Sequence, residues 1–90
     1  MNSKNLVSIG SVIKHHGLQG ELKVFLYNKE SETLVSGISI WFKNNKEFIS
    51  FSLESVRGSK NKLLIKLKDI NSRESSTFLL KKEIYVSRSD

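Results

Sequence analysis

Ninety residues make room for one small domain, and a chain without cysteine has no disulfide, no thiolate metal site and no cysteine nucleophile. Fifteen Lys and Arg against nine Asp and Glu leave a formal charge of +6 and a pI near 9.7, which favours polyanionic partners: RNA, DNA or an anionic membrane surface. No segment approaches the roughly 20 apolar residues of a transmembrane helix, and Leu6 to Ile13 is too interrupted by Ser8, Gly10 and Ser11 to read as a signal peptide, so a cytoplasmic protein without membrane contact is expected.

Residues 1–5 are polar and read as a frayed start. Leu6 to Lys14 reads as a first strand and Glu21 to Tyr27 as a second. The connection between them holds His15, His16, Gly17 and Gly20, and its two glycines suggest a tight turn with φ > 0. Asn28 to Ser36 is a polar loop with one helical turn anchored by Leu34. Gly37 opens a third strand, Ile38 to Lys43, in which Ile38, Ile40 and Phe42 share a face. Asn44-Asn45 is a turn, since asparagine tolerates the left-handed region.

A fourth strand runs from Glu47 to Arg57 with Ile49, Phe51 and Leu53 on one side, and Gly58 to Asn61 is another turn. A fifth strand, Lys62 to Lys68, places Leu63, Ile65 and Leu67 together. Asn71 then caps a helix over Ser72 to Lys82, with Glu74 reaching back as in a capping box. That helix presents Leu79 and Leu80, and a last strand covers Glu83 to Ser87. The alternation nominates Leu22, Val24, Ile40, Ile49, Phe51, Leu63, Ile65 and Leu67 as the core. Six short strands, close turns and one late helix make an all-β, closed or nearly closed barrel, and closure removes the exposed edges that a proline-free chain otherwise has to protect.

Catalytic chemistry finds little support. A zinc site needs about three protein ligands. His15 and His16 are the only histidines, and neighbours on a strand point to opposite faces, so no metal and no cofactor are expected. The structural expectation is that His16 satisfies a turn carbonyl while His15 is exposed. No serine stands in a nucleophile-elbow context, and no paired carboxylates share a face, so an enzyme is not expected. Gly17-Leu18-Gln19-Gly20 spells the G-x-x-G of a KH domain, but that loop joins helices and this one joins strands. Phe25 and Tyr27 fall out of phase with Leu22, Val24 and Leu26 and are expected to face outward beside Lys23, as Trp41 does opposite Ile40 and Phe42. Such aromatics stack on bases, bury against a protein surface, or are covered by the helix or by a further domain of the protein.

Gly10, His16, Gly17, Gly20, Glu21, Lys23 and Val24 form a pattern that resembles the opening of RimM-type ribosome maturation factors, with its H-G-x-x-G turn. A second stretch, Lys66 to Glu74 leading to Glu83-Ile84-Tyr85-Val86, resembles the end of the same N-terminal domain, and Gly37 fits between them. The chain departs from the family at His15, where proline is usual, at Asp69 and Lys81, where glycine is usual, and at Ser76, where a small apolar residue is usual. The resemblance implies a six-stranded Greek-key barrel similar to the second domains of translation factors, with one short helix before the last strand. It implies that residues 1–90 are one barrel domain of a longer protein that carries a C-terminal PRC-barrel domain. It also implies a non-enzymatic, monomeric chaperone of ribosome biogenesis that binds the head region of the immature small ribosomal subunit and aids rRNA processing. The implied partners are the small subunit, its ribosomal RNA and small-subunit ribosomal protein nineteen, the last chiefly through the second domain.

Contact is expected at the first turn, through Lys14, His15, His16, Gly17, Gly20 and Lys23, and on another loop through Arg57 and Lys60. The basic residues are otherwise scattered and form no block, which also describes a plain solvated surface. Two other functions remain open on the sequence. One is a general RNA-binding or translation-factor-type barrel, and the other is a domain accessory to an enzyme.

Overall fold

Alternation of apolar and polar residues carries directly into the strands of the computed structural model, which describes residues 6–27, 34–58 and 63–87. These are β1 (Leu6–His16), β2 (Glu21–Leu26), β3 (Ser39–Asn44), β4 (Glu47–Arg57), β5 (Leu63–Leu67) and β6 (Glu83–Ser87). Between β5 and β6 lie α1 (Arg73–Ser76) and a 3-10 turn (Thr77–Leu79). The fourth and sixth strands fall where the alternation puts them, β1 runs two residues past Lys14, and β3 is displaced by one residue. The expected loop over 28–36 and the turn over 58–61 lie largely outside the described residues.

The strands close into an antiparallel barrel in the order β1-β2-β5-β4-β3-β6. β3, β4 and β5 follow one another, and β6 returns to lie beside β3, which is the Greek-key arrangement. Three irregularities of register let the long strands turn the barrel's corners, two in β1 and one between Leu53 and Ser55 in β4. Gly10 is paired with both Leu26 of β2 and Ile84 of β6. A Cβ there would stand 2.2 Å from the Phe25 carbonyl oxygen, so only glycine lets these strands approach.

Six of the eight nominated core residues are buried: Leu22, Val24, Ile40, Leu63, Ile65 and Leu67. Ile49 and Phe51 are only half-buried and pack against the core from its margin. Phe42, Leu53, Val12, Ile84 and Leu79 complete the interior, with Leu34, Ile70 and Val86. Val12 faces inward in phase with Gly10, and the bulge between Val12 and Lys14 then keeps Lys14 outside beside Ile13 and turns His15 inward.

The helix is shorter than expected and is capped by a different residue. Ser72, not Asn71, is the N-cap, and its hydroxyl accepts from the Ser75 backbone N–H at 3.1 Å. Ser75 answers by accepting from the Ser72 N–H, so the capping box is built from two serines without Glu74. Asn71 is engaged elsewhere: its Oδ1 accepts from the buried Lys66 ammonium at 2.9 Å, and the Leu67 carbonyl accepts from the same group at 2.8 Å. Lys66 is therefore satisfied inside the fold and is removed from the basic surface.

Asp69 (φ 72°) and Lys81 (φ 66°) both stand in the left-handed region, where glycine is free of strain. Lys81 carries no special tolerance for that conformation. Lys81→Gly is expected to stabilise the domain by roughly 0.5–1 kcal/mol, because relief of the left-handed strain exceeds glycine's greater unfolded-state entropy. Thermal denaturation should show the midpoint rising by about 2–6 °C.

Candidate functional site

The turn between β1 and β2 is built by its glycines. Gly17 (φ 71°) and Gly20 (φ 92°) both take the positive φ expected of them. Their surroundings differ. A Cβ on Gly17 would meet nothing within 4 Å, whereas one on Gly20 would stand 2.3 Å from the Ile70 carbonyl oxygen. The turn thus leans on the segment leading into α1, and the Arg73 N–H donates to the Leu18 carbonyl at 3.2 Å.

His15 and His16 exchange the roles expected of them. His16 is exposed, while His15 is half-buried with its Nδ1 3.1 Å from the Ser76 hydroxyl. The single Ser76 proton goes to the Arg73 carbonyl at 3.0 Å, so His15 Nδ1 is the donor in its pair. The buried Ser76 hydroxyl thus has two partners, the Arg73 carbonyl and the His15 ring.

Beyond the turn, the register assembles a row that the sequence does not show. Lys14 on β1 lies opposite Lys23 on β2, Lys23 opposite Leu64 on β5, and Leu64 opposite Arg57 on β4. The row crosses four neighbouring strands, a span of about 14 Å at the usual strand spacing. Arg57 is therefore not on a separate loop. It joins the face of the first turn, and its guanidinium grips Glu21 at both oxygens, Nε to Oε2 at 2.8 Å and an Nη to Oε1 at 2.7 Å. Lys60 lies outside the described residues.

The hydrogen bond from Arg57 holds the Glu21 carboxyl below its ordinary range and raises Arg57 in turn. A carboxyl titrating below its unfolded value supports the fold at neutral pH, and that support drains away as pH falls through the depressed value. The guanidinium is mostly exposed, so the effect on stability is small. Its consequence is positional: the guanidinium is held by two of its donors, while the others have no partner among the described residues. Lys14 and Lys23 make no ion pair among the described residues. Like charges directly opposite each other on a sheet are destabilising, so this pair is a standing cost that an anionic partner would relieve.

Along β2 the outward positions continue through Phe25 to Tyr27, 46 % and 50 % exposed, as the alternation expects. Trp41 also faces outward but is half-buried, opposite Tyr85, whose ring meets Phe48 edge-on at 5.0 Å. Among the described residues no group of three or more His, Asp or Glu is placed to hold a metal ion. No helix among them is long and apolar enough to cross a membrane.

The same fold recurs in known proteins. Residues 7–90 match the family model described as the RimM N-terminal domain. The chain is 31% identical over 83 residues to a ribosome maturation factor RimM of Lactobacillus johnsonii, covering 91% of this chain and 48% of that protein. It is 33% identical over 84 residues to the Pseudomonas fluorescens protein of the same name, covering 93% and 47%. The chain thus spans about half the length of the curated relatives it matches. A crystal structure of a 16S ribosomal RNA processing protein RimM from Pseudomonas aeruginosa superposes with a TM-score of 0.79 at 27% identity, over 94% of this chain and 52% of that one. The solution structure of the N-terminal domain of RimM from Thermus thermophilus shares the fold, with a TM-score of 0.73 at 17% identity, covering 91% and 88%.

Proposed function

This chain belongs to the RimM family, matching its N-terminal domain, and from that membership we propose that it is an accessory factor for maturation of the small ribosomal subunit. It binds the immature subunit in its head region, aids processing of the subunit's RNA, and catalyses no reaction itself. In the full-length protein a C-terminal PRC-barrel domain follows, and that domain supplies the contact with small-subunit ribosomal protein nineteen. The protein works in the cytoplasm.

The observation that carries the reading is the Lys14–Lys23 pair, two cations held opposite each other beside the first turn with no ion pair among the described residues. A phosphate between them turns their mutual repulsion into shared attraction, with Arg57 as a pre-aligned fork at the far end of the row. The protein needs no reactive group for this work. A rigid barrel that binds one arrangement of a flexible RNA–protein assembly more tightly than the others raises that arrangement's population by its difference in affinity. Glu21, the acid at the start of β2, does not oppose an anion here, because Arg57 already occupies both of its oxygens.

Pull-down from lysate tests the reading. Retention of free small subunits, with full ribosomes depleted, is the expected result. Indiscriminate retention of cellular RNA would make this a general RNA-binding barrel, and a bound chromophore would make it an enzyme's accessory domain. Either outcome would overturn the assembly role.

A further inference from the structure

The exposed aromatics of β2 lie on the same face as the lysine row, and we infer that this face binds a single-stranded segment of RNA, with one unpaired base stacked on Phe25 and the adjoining phosphate held by Lys14 and Lys23. The inference rests on the proposal that the face meets RNA, and it specifies the form of RNA recognised.

Outward positions on β2 alternate, so Lys23 and Phe25 stand side by side about 7 Å apart along the strand. That separation is of the order that parts a nucleotide's base from its own phosphate. Phe25 has Ser11 as its neighbour on β1, a side chain too small to cover a ring, and it remains 46 % exposed. Its position is fixed by Tyr27, whose ring meets it edge-on at 6.1 Å and 62°. Tyr27 is fixed in turn: its hydroxyl donates to Glu83 at 2.9 Å, and its backbone N–H donates to the Ile9 carbonyl at 2.9 Å. An exposed ring braced in this way is an ordered platform that loses little freedom when something stacks on it.

The charge pattern selects the occupant. The cations beside the ring are unpaired among the described residues, and the chain carries +6 overall. The acid at the Tyr27 end of this face, Glu83, already accepts from Ser8 at 2.8 Å and from Tyr27, and those bonds hold its carboxyl below the ordinary range. It closes the platform there, so the strand of RNA runs from the lysine row to Phe25 and stops. Duplex RNA is excluded on geometry, because paired bases are stacked on both faces and its deep, narrow major groove admits no side chain. Phenylalanine has no polar atom, so the recognition is tolerant of sequence.

Fluorescence anisotropy with a labelled single-stranded oligouridylate, and with a blunt RNA duplex of equal phosphate count, tests the inference. The single strand is expected to bind more tightly. Phe25→Leu keeps the apolar surface but removes the aromatic face, and should weaken single-strand binding on the order of tenfold while leaving the salt slope and the duplex affinity unchanged. Phe25→Trp should restore binding, with its indole fluorescence quenched on stacking. Unchanged single-strand affinity in Phe25→Leu overturns the inference. Equal affinity for single strand and duplex, with a slope that depends on Lys14 and Lys23, also overturns it but leaves the phosphate row standing. Absence of binding to either RNA, while small subunits are still retained, assigns the face to a protein surface and overturns RNA contact as well.

Discussion

Gly20→Ala should cost the domain roughly 3–5 kcal/mol, and Gly17→Ala only about 1–2 kcal/mol, although both glycines belong to the same turn. Each has a positive φ, so each replacement carries backbone strain. Only at Gly20 does the new methyl also collide with a carbonyl oxygen, 2.3 Å away on Ile70, and that oxygen is backbone and has little room to retreat. The segment from Ile70 into α1 would have to move off the barrel, and Ile70 is part of the core. Urea denaturation of the two variants measures the difference as a gap between their midpoints. Equal losses would show that the turn does not lean on Ile70.

Phe42→Ala is the second large effect, about 3–5 kcal/mol. Phe42 is fully buried, is the largest side chain in that class, and meets Phe51 edge-on at 6.0 Å. Removing the ring loses its transfer free energy and leaves a cavity that a closed barrel cannot collapse. Against a total stability of about 5–15 kcal/mol for a small domain, this loss removes roughly a fifth of the total at the least. Phe51→Ala should cost less, because that ring lies half-buried at the margin. The same denaturation experiment compares the pair, and a reversed order would contradict the packing described here.

Where alternation runs uninterrupted, the fold is legible directly. Leu63, Ile65 and Leu67 point inward as a period of two requires, and β6 has the bounds the sequence marks. Legibility ends where register or tertiary partners intervene. Val12 is absent from the nominated core because the bulge between Ser8 and Gly10, which sets its phase, leaves no mark in composition. A second bulge, between Val12 and Lys14, decides that His15, not His16, meets α1. Asn71 and Ser72 are both good caps, and what separates them is Lys66, whose buried ammonium claims the asparagine. The lysine row is half legible. Lys14 and Lys23 flank one turn in sequence, but Arg57 joins them only through the order β1-β2-β5-β4.

That row is the central claim, and its salt dependence tests it most directly. Removing one phosphate-binding cation lowers the slope of log K against log salt by about one unit. Binding of the domain to purified small ribosomal subunits, followed over a salt series, should show a slope about two units shallower for the Lys14→Gln, Lys23→Gln double variant. The control pair, Lys43→Gln with Lys46→Gln, lies at the β3–β4 hairpin outside the row and should leave the slope unchanged. Equal reductions from both pairs, or none from either, would contradict the claim that Lys14 and Lys23 form the docking site.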